Sequence, residues 1–367
     1  MHVVVVGGGL MGSAAAYHLA ERGLAGTVVD AGHPGRATAA GAGILSGATS
    51  GGPGPAYWAL AQAGDHYHRR LARESGGGPG YGRAALAIVA LAGDQERWEA
   101  LRQNLVERGA PVRQVEPATL AQAFPAIGPV EAVLWHDDAM RVDGRLLEAW
   151  FRTAAERGGA RFTSGMVERL AVDGRRVTGV VLASGDHLVA DAVIVAAGAW
   201  STALVAPLAT TVPIAPQRGQ IVHLAVPAAQ GASWPILQEV RGHYLLPWPD
   251  GHVVAGASRE TGSGYHARLT AAGQAEVLRA LMRMAPGLAQ AEVREWRVGL
   301  RPASADGLPL LGRLAGVDGV HLLTGHGAGG LLVGPVSAKL VVDALVDREL
   351  PINLTPFRPD RPVAPVT

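Results

Sequence analysis

The chain has 367 residues, 48% of them hydrophobic and 17% charged, with 32 basic against 31 acidic side chains and no cysteine. That is enough apolar material for a sizeable core, in two domains or in one large domain with an insertion, and it excludes a disordered chain. The near-neutral balance argues against nucleic acid or an anionic membrane as partner, and the missing thiols exclude disulfides, thiolate metal sites, a cysteine nucleophile and a thioether-linked cofactor.

The N-terminal stretch is the densest in signal. Apolar His2–Val6 predicts a strand and runs into Gly7-Gly8-Gly9-Leu10-Met11-Gly12, a G-x-G-x-x-G turn. A helix over SAAAYHLAERG follows, then a second strand, TVVD, ending at Asp30. Gly7 permits the tight turn, Gly9 lets backbone approach a pyrophosphate, and Gly12 lets the helix pack close to the sheet. The helix N-terminus offers free N–H groups to phosphate oxygens. An acid at the end of the second strand, about 20 residues on, suits a ribose diol and favours FAD or NAD over NADP. The alternative, a glycine-rich turn with no ligand, leaves Asp30 without a purpose at that strand end.

Residues 31–55 are small and almost uncharged, a loop able to lie against a flat ligand. Helices are expected over Tyr57–Glu74, Asp94–Arg108 and from Pro117 to near Pro125, and strands over Ala84–Ala92 and Val133–Trp135. Asp143 is placed to cap a helix running to Arg157. A meander follows, over Val167–Val172, Arg176–Leu182 and Asp186–Val189, with turns at Asp173-Gly174 and Ser184-Gly185. Ala192–Ala197 reads as a buried strand entering Gly198. Several strands are expected between Val212 and Gly256, a helix over Leu269–Met284, a strand over Trp296–Leu300 and a last helix over Val336–Val346. No internal repeat is evident. No apolar run is expected to reach the roughly 18 residues of a bilayer span, and the N-terminal valines suit a strand better than a signal peptide, so a cytoplasmic location is expected.

Four segments, VVVVGGGLMGSAAAYHLAERG, GRATAAGAGIL, VIVAAGAWS and the pair VGLRPASADGLPLLGR with LLTGHGAGGLLVGP, carry a resemblance. They occur in the order of the D-amino-acid-oxidase-like FAD oxidoreductases, a family that includes glycine oxidase and monomeric sarcosine oxidase, and the pattern is nearest to glycine oxidase. The resemblance implies an α/β fold: a Rossmann-like FAD-binding domain from residues 1–82, 140–212 and 300–367, and a mainly antiparallel α+β substrate domain from 83–139 and 213–299. It implies FAD held non-covalently. Gly7, Gly9, Leu10, Met11 and Gly12 would face or shape the pyrophosphate site, and Asp30 with Ala31 the adenosine ribose. Arg36, Ala37 and Thr38 match a phosphate-side loop, Ala42, Gly43, Ile44 and Leu45 a segment along the isoalloxazine, and Val167 the adenine contact. Ala196, Ala197, Gly198 and Trp200 match the ribityl side. Gly325, His326, Gly327, Ala328, Gly329, Gly330 and Leu331 match the loop whose amides meet the pyrimidine end of the flavin.

The substrate would be a small amino acid or amine, and the electron acceptor oxygen or another oxidant. By resemblance Arg301, also near the flavin, clamps the substrate carboxylate and Tyr244 shares it; the competing readings are an Arg301–Asp306 ion pair and a core tyrosine. Ala328 stands where glycine-oxidase-like sequences have an arginine. His326 reads as a structural or flavin-side residue rather than a base. Arg218 either reaches the site or is a solvated turn residue, the latter preferred. His66 and His68 lack further ligands, so no metal site is expected. The single lysine, Lys339, falls in the last helix, which leaves no lysine to promote an oxygen reaction above the flavin. The function implied is oxidation of glycine, sarcosine or a D-amino acid by hydride transfer, with hydrogen peroxide as the expected second product. Alternatives are a D-amino-acid or proline-type dehydrogenase with another acceptor, a non-catalytic FAD subunit and, least, an NAD-binding protein. The oligomeric state is left open.

Overall fold

The computed structural model describes residues 1–208, 212–227, 231 and 233–363. Its first sheet has six strands in the order Leu310–Arg313, Val320–Thr324, Ala192–Val195, His2–Val6, Ala25–Asp30, Arg161–Ser164, all parallel except the first. Side chains alternate along each strand, and both faces of this sheet are covered, which is why its strands read as unbroken apolar runs. Val3, Val5, Val28 and Ile194 face the helices, among them Leu10–Glu21, Gly144–Arg157 and Gly330–Leu345. Val4, Val6, Val29, Val193 and Val195 face the other way, onto the three-stranded meander of Val167–Asp173, Arg176–Leu182 and His187–Val189.

The second sheet is larger and mainly antiparallel. Its order is Glu292–Ser304, Ile214–Ala225, His252–Gly256, Tyr244–Pro247, Ile236–Glu239, Gly82–Ala90, Ala132–Arg141, Ile44–Leu45, with Arg113–Val115 also on Ala132–Arg141; only Ile236–Glu239 and Gly82–Ala90 pair in parallel. Val222, Leu245 and Val253 pack under the helix Ala271–Met284, while Ile88, Ile221 and Val254 join Trp98 and Leu105 of the helix Gln95–Glu107 on the opposite face.

The mixed α/β architecture agrees with the expectation from sequence, and Asp143 does cap its helix, accepting from the amides of Arg145 (2.7 Å) and Leu146 (3.2 Å). Several boundaries move. The strand expected over Val133–Trp135 extends over Ala132–Arg141, and that over Trp296–Leu300 over Glu292–Ser304, because long antiparallel partners carry the ladder past the apolar stretch. Ile44–Leu45, read as loop, pairs with Met140 and Arg141. Asp94 precedes its helix without capping it; its carboxylate accepts instead from the Leu91 amide (3.2 Å) and Arg241 Nε (2.7 Å).

The last helix begins at Gly330 rather than Val336 and runs through Pro335. A proline has no N–H, so the carbonyl four residues back, that of Leu331, loses its helical donor. Nε2 of buried His68 supplies the bond, 2.8 Å from Leu331 O and 3.1 Å from Leu332 O, while its Nδ1 accepts from the Tyr81 hydroxyl at 2.6 Å. The expectation that no stretch is long and apolar enough to cross a bilayer is corrected: Gly327–Leu345 meets both criteria. The fold buries 61% of that stretch, against the helices Leu10–Glu21 and Gly54–Glu74.

Candidate functional site

The glycine turn sits at the C-terminal end of the central parallel strand. A β-carbon on Gly12 would lie 1.8 Å from the Gly7 carbonyl oxygen, and one on Gly7, whose φ is +104°, 2.5 Å from that of Ala196. One on Gly9 would meet only the Thr38 hydroxyl, at 3.3 Å. Gly7 and Gly12 therefore serve close packing, and Gly9 keeps space open. Thr38 Oγ1 accepts from the Leu10 amide (3.2 Å), and the first-turn amides of Met11 and Gly12 have no acceptor within their helix.

In front of this turn lies a cavity of about 840 Å³, within the roughly 300–1,000 Å³ usual for small-molecule and cofactor pockets. Its wall includes Gly7, Gly9, Leu10 and Met11 from the turn, Asp30 and Ala31 from the second strand end, and Arg36, Ala37, Thr38, Ala42, Gly43 and Ile44 from the following loop. Val167, Ala196, Ala197, Gly198 and Trp200 form another side, and His326, Gly327, Ala328, Gly329, Gly330 and Leu331 a third. Tyr244 and Arg301 face it from the second sheet. Three anticipated residues stand behind the wall: Gly12, fully buried Leu45, and Gly325, where a β-carbon would meet Ile214 and Leu310 within 3.0 Å.

Asp30 Oδ2 accepts from Arg36 Nη1 at 3.1 Å, and the same nitrogen reaches Glu148 at 3.1 Å. Burial raises the Glu148 carboxyl above its ordinary pKa, with Arg36 opposing and Asp30 adding to the rise. Trp200 stacks on His33 with centroids 4.6 Å apart and planes 11° from parallel. Both His326 nitrogens are buried without a hydrogen-bond partner, and burial lowers its pKa to about 3, so the ring is neutral.

Arg301 does not pair with Asp306, which accepts both bonds of a bidentate contact with Arg361 (2.7 and 2.8 Å). The Arg301 guanidinium donates to the Ser258 carbonyl at 3.0 Å and lies on Gly219, where a β-carbon would come within 2.4 Å of it. Burial lowers its pKa from the usual arginine value, yet the group stays charged. Among the described residues no carboxylate lies within 4.0 Å of it. Tyr244 is kept protonated by burial. Backbone links Arg301 to the nucleotide loop: the Leu300 amide donates to the Gly35 carbonyl at 2.9 Å.

Neither reading of Arg218 holds. It is buried, pairs with Glu260 through Nε (2.9 Å) and Nη2 (2.6 Å), and stands outside the cavity wall. The absence of a side chain at the neighbouring Gly219 leaves that space to Arg301 instead. His66 is exposed, and among the described residues no cluster of metal-ligating side chains occurs. Lys339 bonds Asp343 (2.6 Å) away from the cavity wall. Tyr57, Gly219 and Arg259 were missed as site residues. Tyr57 closes on the last glycine loop, since a β-carbon on Gly329 would lie 2.1 Å from its hydroxyl. The only signal for Tyr57 was its place at the start of an amphipathic helix, and Arg259 has none among so many arginines.

A strand-end acid, an open glycine turn and a cavity shared between two sheets define a dinucleotide-binding protein. Residues 2–344 match the DAO family, described as FAD dependent oxidoreductase, and the chain belongs to it. It is 32% identical over 365 residues to an uncharacterized oxidoreductase, YurR, of Bacillus subtilis (strain 168), covering 97% of this chain and 98% of that one. It is 31% identical over 370 residues to the glycine oxidase of Pseudomonas aeruginosa, covering 97% and 98%. The crystal structure of iminodiacetate oxidase from Chelativorans sp. BNC1 superposes with a TM-score of 0.91 at 35% identity, covering 97% and 98%. The cofactor is FAD, and the residues present fit it: the Gly9 opening, the free first-turn amides and the cavity volume all accommodate such a ligand.

Proposed function

We propose that this FAD-dependent oxidoreductase oxidises the C–N bond of a small amino acid or secondary amine. The observation that carries this reading is the half-buried Arg301 guanidinium, with no carboxylate within 4.0 Å among the described residues, beside protonated Tyr244 in the same cavity as the glycine turns. A planar cation with one backbone bond has donors left for a substrate carboxylate, and the tyrosine hydroxyl adds another. The names of the glycine oxidase and iminodiacetate oxidase relatives support an amine substrate.

In this reading residues 1–82, 140–212 and 300–367 hold FAD, with the cavity residues named above in the roles the resemblance implies. FAD, when bound, supplies the two-electron acceptor for the substrate's α-hydrogen and its electron pair. The chain's own contribution is to fix the carboxylate and so orient the Cα–H bond, and to exclude water. Among the described cavity residues none beside Arg301 and Tyr244 offers a general base: His326 is neutral but wholly enclosed, Asp30 and Glu239 are ion-paired, and His33 and Glu168 stand with Trp200 and Val167 on another side of the cavity. The amine therefore arrives already neutral, and the resulting imine is released to water. The absence of lysine from the cavity wall leaves open a non-oxygen acceptor, as in a D-amino-acid dehydrogenase.

The test is anaerobic titration of the yellow holoenzyme with glycine, sarcosine, D-alanine and D-proline. Bleaching of the visible flavin band by at least one supports the reading. An unchanged spectrum with the whole panel and with iminodiacetate overturns it in favour of a non-catalytic flavoprotein.

A further inference from the structure

The cavity rim on the second sheet is rich in charge, and nearly all of it is committed. Glu239 is held by Arg283 Nη2 through both carboxylate oxygens (2.6 and 2.8 Å). Arg241 is held by the buried Asp94 carboxylate at 2.7 Å. At the other end Asp30 and Arg36 hold one another. Arg259 differs. It lines the same cavity, is exposed, and has no carboxylate within 4.0 Å among the described residues. Among the described residues its one side-chain hydrogen bond is a long one, from Nη2 to the Gly242 carbonyl at 3.5 Å.

Arg259 is also placed by the backbone that places Arg301. It directly follows Ser258, whose carbonyl accepts from Arg301. Its guanidinium rests on the turn glycine Gly242, where φ is +92° and a β-carbon would come within 2.7 Å of Nη1. The two arginines act on each other: after burial and the opposing effect of Tyr244, the charge of Arg259 contributes to lowering the Arg301 pKa. Two cations thus share one cavity, and among the described residues neither has a carboxylate within 4.0 Å, Glu276 and Glu260 acting on Arg301 only from farther off. Such an arrangement is repulsive unless an anion joins them. A monocarboxylate satisfies one of the two; a ligand with two carboxylates satisfies both, the inner on Arg301 and the outer on Arg259.

We propose that the substrate carries a second carboxylate, and that Arg259 is the residue that selects it. This rests on the reading of Arg301 as the inner carboxylate site. The chemistry recognised is an amine between or beside two carboxylates. The second hangs either from the nitrogen, as in iminodiacetate, or from the side chain, as in D-aspartate. Because Arg259 is exposed, its contribution is moderate and falls with added salt.

The experiment uses the FAD-loaded protein and two ligands with an ether oxygen in place of the amine. Diglycolate has two carboxylates and methoxyacetate one, and binding is read by calorimetry, independently of flavin reduction. Diglycolate is expected to bind about 2- to 5-fold more tightly. In R259Q that ratio collapses towards one, and R259K restores much of it. Equal binding of the two ligands, or a ratio that persists in R259Q, overturns the proposal. Anaerobic reduction then locates the second carboxylate. A lower KM for iminodiacetate than for sarcosine puts it on the nitrogen substituent, and a lower KM for D-aspartate than for D-alanine puts it on the side chain. The lack of both preferences overturns the proposal. If amines bleach the flavin but the ratio is one, this inference alone fails. If diglycolate binds through Arg259 and no amine bleaches the flavin, the assignment of amine oxidation fails instead.

Discussion

His68 repairs a hydrogen bond that Pro335 removes. The helix Gly330–Leu345 passes through a proline in its second turn, and the stranded Leu331 carbonyl is bonded by His68 Nε2 at 2.8 Å from the helix Gly54–Glu74. Since Leu331 and the glycines before it line the cavity, this contact fixes a wall of the FAD site.

Replacing His68 by leucine is expected to cost about 2–3 kcal/mol, because a buried carbonyl and the Tyr81 hydroxyl both lose their partner. The midpoint of urea unfolding should fall accordingly. FAD affinity of the folded variant should also fall, read by fluorescence titration; unchanged values of both would show that the bond matters to neither.

Acid should unfold the protein early. Burial lowers the pKa of His68 to about 4, of His321 to about 4 and of His326 to about 3, each from an ordinary 6.5. The unfolded chain therefore binds protons that the folded chain refuses, so stability rises with pH through this range. The contribution is complete above pH of about 6.5 and is lost as pH falls towards 4 and 3. Thermal midpoints measured from pH 7.5 to 4.5 should drop steadily, and in the His68→Leu variant the slope should be shallower. A flat profile would contradict the burial of these rings.

The two glycines of the turn should fail differently. Gly12→Ala places a methyl group 1.8 Å from the Gly7 carbonyl and should prevent folding of the first sheet or abolish FAD retention outright. Gly9→Ala meets only a hydroxyl at 3.3 Å, so the protein should fold with a near-normal circular dichroism spectrum yet lose FAD affinity by at least about tenfold, as the new methyl occupies ligand space. A yellow, fully loaded Gly9→Ala protein would argue that the opening is not the pyrophosphate site.

Much of this was legible in the sequence, for identifiable reasons. The strand, turn, helix and acid of residues 1–30 are local, and each has a composition that only one conformation satisfies. The meander announced itself through Asp173-Gly174 and Ser184-Gly185. What the sequence hid was pairing at a distance. Ile44–Leu45 is a strand only because Met140 and Arg141 lie beside it. Arg218 and Arg301 look alike in sequence, and only the fold gives Glu260 to the first and leaves the second without an acid. Arg259 had no motif at all, since its significance lies in the partners it lacks.

Arg301→Lys should retain FAD but weaken substrate. The ammonium cannot reproduce two parallel bonds to a carboxylate, so KM in anaerobic reduction should rise by roughly 10- to 100-fold. In the parent enzyme, on the reading that no group beside Arg301 and Tyr244 serves as base, the rate of flavin bleaching should increase with pH towards the pKa of the amine substrate. A rate independent of pH between mildly acidic and alkaline buffer would call for a base elsewhere.

The bond from Leu300 to Gly35 has a consequence for the order of assembly. One peptide unit separates the loop that would cradle phosphates from the guanidinium that would grip the substrate. Emptying the coenzyme seat is expected to slacken both at once, so the apoprotein should bind diglycolate more weakly in calorimetry than the reconstituted protein does. Coenzyme first, carboxylate second, is then a rule written into a single main-chain tie rather than into any side chain.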